Sequence, residues 1–193
     1  MLPLVIISGL GWLTHARNDV YADPLALWDD TVRKSPRKGR VHYNRGTFFY
    51  HEGHMDDAIA ALQRATELRP DHFRSHFNLG MAYVRGERLE DAERSFRTAL
   101  NLSPRSADVL LNLGSVYYLQ HKLPEALQAY QDALLAQPGN IDARMNLAKT
   151  YRQMGRGLDA RRECELVLQA QPSNAEAAAM LRDLGGTDRK SRR

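Results

Sequence analysis

The sequence predicts an all-α fold, a right-handed α-solenoid of about four helix-turn-helix repeats with a half-repeat before them and a capping helix after them. Three observations predict it. Pro36, Pro70, Pro104, Pro138 and Pro172 recur every 34 residues without an insertion or deletion. The same interval relates Gly46, Gly80, Gly114 and Ala148, then Phe49, Tyr83, Tyr117 and Tyr151, then Ala58, Ala92, Ala126 and Ala160. Within the interval from Ala107 to Asn140, Leu110, Leu113, Val116 and Tyr117 fall at the three- and four-residue spacings that put apolar groups on one helical face. A second stripe, Leu127, Tyr130, Leu134 and Leu135, follows Pro124, which a first helical turn tolerates, and stops at Pro138. Each interval therefore reads as two antiparallel helices joined by a short turn. The small residue lets neighbouring backbones come close, and an aromatic ring one turn away fills the remaining gap.

Leu79, Gly80, Tyr83, Ala92, Phe96, Ala99 and Pro104 recur as Leu113, Gly114, Tyr117, Ala126, Tyr130, Ala133 and Pro138. These landmarks resemble tetratricopeptide repeats, a family of 34-residue helix-turn-helix units. The resemblance runs from about Gly39 to Asn174 and divides the chain into repeats at 39–72, 73–106, 107–140 and 141–174. Two repeats depart from the pattern. The first has Arg45 where the others have leucine, and the fourth has Ala148, Cys164 and Val167 where glycine, an aromatic ring and alanine are usual. Looser packing is expected at both ends, because terminal repeats are under different constraints. A capping helix follows over 175–186, with Asn174 as N-cap, Gly185-Gly186 as its stop, and a stripe of Ala177, Met180, Leu181 and Leu184 to cover the open face of the fourth repeat. Residues 187–193 read as a disordered basic tail.

Residues 1–20 carry an apolar run, Leu2 to Leu13, broken by Ser8, Gly9 and Gly11. It is shorter than the ~20 residues that span a bilayer, and it lacks the charged n-region and small-residue cleavage site of a secretory signal. Three readings stay open: the end of a longer membrane helix, a short interfacial or uncleaved anchor, or an apolar helix packed on the first repeat. The following segment favours the first. Leu27-Trp28-Asp29-Asp30-Thr31-Val32 and Lys34-Ser35-Pro36 resemble the junction in mannosyltransferase-like membrane proteins, where a last transmembrane helix runs into C-terminal tetratricopeptide repeats. That resemblance implies a half-repeat and basic linker over 21–38, with Trp28 covering the apolar face of the first repeat. It implies a membrane-associated protein, with residues 2–13 as the tether; a soluble cytoplasmic protein is the alternative. The side of the membrane stays open. A basic cluster such as Arg33, Lys34, Arg37, Lys38 and Arg40 is ordinarily cytoplasmic, whereas the resembling enzymes hold their repeats on the opposite side.

The excess of 27 basic over 23 acidic residues, a net charge of +4, comes largely from that cluster and from Arg189, Lys190, Arg192 and Arg193. The repeats are near balance. They lack the continuous basic stripe with stacking aromatics of a nucleic-acid groove, so no nucleic-acid partner is expected. The single Cys164 has no partner for an internal disulfide and falls at an apolar core position. His51-Glu52-Gly53-His54 is one residue short of the zinc-protease motif and has no placed third ligand, so no metal site is expected. His72 and His76 are four apart, yet His76 is equivalent to His42 in the repeat, which points to packing. No P-loop, no G-x-G-x-x-G and no nucleophile with an oriented base occurs. The sequence therefore predicts no catalytic residues, no cofactor and no enzymatic activity.

One constellation stands out: Asn44, Asn78, Asn112 and Asn146, at the same position on each first helix. First helices of stacked repeats line the concave side, so these amides are expected in a row along its floor. A carboxamide offers an acceptor and donors together, and so can pair with the C=O and N–H of an extended peptide whatever its side chains. A similar asparagine ladder marks the tetratricopeptide superhelix of the O-linked N-acetylglucosamine transferases, where it holds protein substrates; the resemblance implies the same use here. A role in fixing helix packing is the competing reading. At a neighbouring groove position Arg40 and Arg74 give way to Asp108 and Asp142, making the groove basic at one end and acidic at the other. Tyr43, Phe77, Leu111 and Met145 are expected as groove contacts or as partial core. The clamp of chaperone-tail repeats is not matched, since asparagine stands where its arginine would be. Two functions follow as expectations. The first is a non-catalytic scaffold whose partner is a protein or peptide ligand in the concave groove. The alternative is the C-terminal substrate-recruiting module of a membrane glycosyltransferase whose catalytic part lies outside this chain.

Overall fold

The computed structural model describes residues 24–191, and every regular element among them is a helix. The apolar run at 2–13 lies outside the described residues. The chain divides into two compact units, one ending at Asp71 and the other beginning at His72.

The first unit holds α1 (Pro24–Lys34), α2 (Gly39–Glu52) and α3 (Met55–Leu68). Helices α2 and α3 form a hairpin around Phe49, Ala58, Ile59, Leu62 and Ala65, all buried. Gly46 sits where a Cβ would come within 2.6 Å of Leu62 Cγ, so only glycine permits this crossing. Helix α1 lies on α2 through Trp28, whose ring centroid is 6.3 Å from that of Phe48. The anomalous Arg45 belongs to the same contact. Its guanidinium donates to Asp29 Oδ1 at 2.7 Å and lies 5.1 Å from the Phe49 ring centroid, so the usual leucine has been exchanged for a side chain that holds α1.

The second unit holds α4 (Phe73–Arg85), α5 (Leu89–Leu102), α6 (Ala107–Leu119), α7 (Leu123–Ala136), α8 (Ile141–Gln153), α9 (Gly157–Ala170) and α10 (Ala175–Ser191). It is an α-solenoid of stacked hairpins. Gly80 faces the Phe96 ring and Gly114 faces the Tyr130 ring, and a Cβ at either glycine would meet ring carbon at 2.7 Å. The fourth repeat makes the opposite exchange: Ala148 and Cys164 are buried in one cluster, the added methyl of one position matched by the smaller side chain of the other. Ala177 and Met180 of α10 are buried in that same cluster, with Leu181 and Leu184 packed on it.

The turns repeat as strictly as the core. Gly53, Glu87, His121 and Gly155, 34 residues apart, all have positive φ, between 58° and 86°. The next residue in each case donates its N–H five residues back, to the carbonyls of Phe49, Tyr83, Tyr117 and Tyr151, each at 2.9 Å, which satisfies carbonyls orphaned at a helix end. The other turn is closed by side-chain caps at Ser106, Asn140 and Asn174, which accept from the N–H three residues on at 3.4, 2.9 and 3.0 Å.

Two sequence expectations differ from what is observed. Helix α10 continues past Gly185-Gly186 to Ser191, so residues 187–191 of the basic tail are helical. Glycine keeps its N–H and costs only about 1 kcal/mol in a helix interior, so it need not end one. Leu135, read as part of the apolar stripe of α7, is 81% exposed. Five residues past Tyr130, it has turned away from the buried face.

Candidate functional site

Within the second unit the first helices approach each other along the stack, α4 with α6 and α6 with α8, more closely than the second helices α5, α7 and α9 do. The first helices therefore line the inner side of the stack. Each presents a stripe at i, i+4, i+7 and i+11: Arg74, Asn78, Met81 and Arg85 on α4; Asp108, Asn112, Ser115 and Leu119 on α6; Asp142, Asn146, Lys149 and Gln153 on α8. In all three stripes the outer two residues are exposed and the inner two half-buried. The structure thus brings Asn78, Asn112 and Asn146 to equivalent places, each beside Arg74, Asp108 or Asp142 one turn before it. In the first unit, Asn44 and Arg40 are exposed on the matching stripe of α2.

Local bonds hold the stripe in shape. Asn112 Nδ2 donates to the Asp108 carbonyl at 2.8 Å, fixing the amide along its own helix. Tyr130 Oη donates to Ser115 Oγ at 3.2 Å, so the core ring also anchors the floor from behind. Burial pushes the Tyr130 phenol up to about 12, against which the Ser115 hydrogen bond is the weaker effect. Lys149 pairs with Glu176 of α10 at 2.8 Å.

Of the apolar residues expected in the groove, Met145 is only 4% exposed and belongs to the core cluster of α8, α9 and α10. Phe77 stacks on Phe73 at 6.2 Å and tilts against Phe96 at 5.9 Å, and Leu111 packs on the buried cluster of Leu110, Ala133 and Ala143. The exposed apolar side chain on the stripe is instead Leu119, which sequence reasoning passed over. Its signal was present: it lies seven residues after Asn112, two helical turns along the same face.

At the joint between α5 and the α6–α7 turn, Glu93 receives hydrogen bonds or ion pairs from Lys122 at 2.8 Å and Arg97 at 3.1 Å, and Arg97 Nε donates to Tyr117 Oη at 3.1 Å. Burial raises the Glu93 carboxyl, but these cations outweigh it and hold the group below the ordinary glutamate value. The outer side of the stack has a cleft of about 570 Å³ lined by Leu100, Pro104, Arg105, Leu110, Asp132, Leu135 and Ala136. Cys164 is buried, and burial pushes its thiol up, which makes it unreactive. Among the described residues no three His, Cys, Asp or Glu side chains come together as a metal-binding group. No described helix is long and apolar enough to cross a membrane.

A sequence profile described as tetratricopeptide repeat matches residues 14–73, 52–104 and 77–141, and a second profile of the same description matches 117–184. The chain belongs to the tetratricopeptide-repeat family. Members of this family are generally protein-interaction scaffolds rather than catalysts, and they bind partners on extended concave surfaces. No curated protein sequence matches the chain. Among solved structures, the crystal structure of MamA is similar with a TM-score of 0.74 and 21% identity, covering 77% of this chain and 87% of that one. PilF of Pseudomonas aeruginosa gives 0.69 and 24%, over 79% and 69% of the two chains. A thermophilic tetratricopeptide-repeat protein of Thermus thermophilus, TTC0263, gives 0.63 and 22%, over 91% and 95%. At these identities the likeness is one of fold.

Proposed function

We propose that this tetratricopeptide-repeat protein is a non-catalytic scaffold that receives an extended peptide segment of a partner protein on the inner face of its second unit, through the asparagine row Asn78, Asn112 and Asn146; Asn44 holds the equivalent repeat position in the first unit. The observation that carries this reading is the placement of Asn78, Asn112 and Asn146 at one position of three identically exposed stripes. A carboxamide can accept from a peptide N–H and donate to a peptide C=O. A row of them reads backbone and leaves side-chain choice to the flanking groups. Within the second unit Arg74 stands at one end of the row, with Asp108 and Asp142 along it, and this change of sign orients a bipolar peptide by complementarity of potential. Leu119 adds one apolar contact at the far edge of the stripe.

The test is the double variant Asn78→Ala/Asn112→Ala, titrated into a fluorescent peptide library and followed by anisotropy. Each lost hydrogen bond costs about 0.5–1.5 kcal/mol, so affinity is expected to fall roughly 10- to 100-fold with the helical circular dichroism unchanged. Unchanged affinity with an unchanged fold removes the ladder.

A further inference from the structure

The cleft on the outer side of the second unit breaks the register of the repeats. The position that Leu135 occupies is exposed in all four repeats, yet the other three fill it with Glu67, Asn101 and Gln169. Leu135 is the most exposed large apolar side chain among the described residues. It contributes nothing to the core there, and it forgoes the burial that makes a leucine stabilising. Beside it the cleft has an apolar floor, Leu100 and Leu110, both packed with the buried cluster of Ala133 and Ala143. Its rim carries two opposite charges: Arg105 from the α5–α6 turn, and Asp132, which stands one helical turn before Leu135 on the same face of α7. The two line one cleft without pairing. Arg105 has no ion-pair or hydrogen-bond partner among the described residues, and Asp132 accepts from Gln128 of its own helix at 3.0 Å. At the equivalent places the sequence holds Asp71 and Thr98, or Gly139 and Leu166. The exposed leucine, the cation and the carboxylate therefore come together once in the chain.

We infer that this cleft is the contact between two copies of the chain related by a twofold axis: Leu135 of each copy enters the cleft of the other, and Arg105 of each pairs with Asp132 of the second copy. The occupant follows from the charges. A twofold contact sets one patch against itself, so each group must find its complement within that same patch. An apolar centre with one unpaired cation and one carboxylate on its rim meets this condition, because a single rotation forms both ion pairs. A partner of one sign, such as an acidic or a basic peptide, is attracted by one side of the rim and repelled by the other. One cleft and one leucine from each copy make a small contact, so the dimer is weak and depends on concentration. The contact lies on the outer side, and the asparagine row of each copy stays open.

The test is sedimentation velocity of the full chain over a concentration series that reaches the millimolar range. The native chain is expected to pass from monomer to dimer and no further. Leu135→Gln, which installs the residue of the fourth repeat at an exposed site, is expected to weaken the dimer roughly 10- to 100-fold. Arg105→Glu alone and Asp132→Arg alone set like charges against each other and are each expected to stay monomeric. An equimolar mixture of these two variants gives every altered group its complement in the other copy, so a heterodimer of near-native strength is expected. Circular dichroism of each variant is expected to match the native chain. A native chain that stays monomeric or grows past two copies, a dimer that Leu135→Gln leaves at native strength, or a mixture of the two charge variants that does not recover overturns the assignment. Asn78→Ala/Asn112→Ala is expected to leave the dimer unchanged, so this inference and the peptide-binding reading fail separately.

Discussion

The hairpin α2–α3 of the first unit and the hairpin α6–α7 of the second are built to one plan and finished differently. Both cross at a glycine, but Gly46 lies over an aliphatic side chain, Leu62, whereas Gly114 lies over the face of an aromatic one, Tyr130. Both turn at a left-handed residue, but Gly53 suits that conformation and His121 does not. Both begin after a proline, but Ser106 caps its helix and Lys38 leaves α2 uncapped. The comparison separates what the repeat requires, a close crossing and a reversed turn, from what each copy can adapt. Side-chain caps are one such adaptation: Ser106, Asn140 and Asn174 have them, and Lys38 and His72 at the equivalent positions do not.

The largest effect is expected at the crossing itself. Phe96→Ala empties a fully buried site opposite Gly80 and should cost about 3–5 kcal/mol in denaturant unfolding. Gly114→Ala, driving a methyl into the Tyr130 ring, should cost about 1–3 kcal/mol. Adding Tyr130→Cys to it imitates the Ala148–Cys164 pair, and the double variant should lose less than the sum of the two single ones. Strict additivity would show that the two positions are not coupled. The caps come next. Asn140→Ala should lose about 1 kcal/mol, and Lys38→Asn should gain a comparable amount by giving α2 the cap that Asn140 gives α8. The turns come after that: His121→Gly should gain roughly 0.5–1 kcal/mol by relieving the positive φ, and Gly53→Ala should lose about as much.

The smallest effects are those of pH. Glu93 is held below its ordinary value, so its share of stability is complete above that value and is lost as pH falls through and below 4.5. Lys122→Gln should flatten this acid limb in a thermal melt series. Tyr130 behaves in the opposite sense. Its phenol is raised from 10.0 to about 12, so its contribution is full below pH 10 and is lost as pH climbs toward 12. Ultraviolet titration should show one late tyrosine that disappears in Tyr130→Phe.

Much of this architecture was legible in the chain because a strict interval converts directly into geometry. The 34-residue register places the small crossing residues, the rings that face them and the turns from spacing alone. What stayed hidden depends on contacts that the interval does not encode. Arg45 reads as a flaw in the first repeat until Asp29, 16 residues earlier and outside any repeat, is seen to receive it. Ala148 and Cys164 read as two separate departures, although they share one buried cluster and one volume exchange. Leu119 and Leu135 are both leucines near a helix end, and a difference of angle alone turns one toward the inner stripe and the other to the outer side. At the candidate site the row of asparagines was legible for the same reason as the fold. The bond from Asn112 to the Asp108 carbonyl was not, because the sequence does not reveal which rotamer an amide adopts.

The most direct measurement of the central proposal is the movement of side-chain amide signals in a nitrogen–proton correlation spectrum as a bound peptide from the library is added. The account predicts that the carboxamide signals of Asn78, Asn112 and Asn146 shift together and saturate at one concentration, with the backbone of α7 around Leu135 unmoved. Shifts confined to the outer cleft lined by Leu100, Leu110 and Leu135, with the three asparagine amides unmoved, would contradict it.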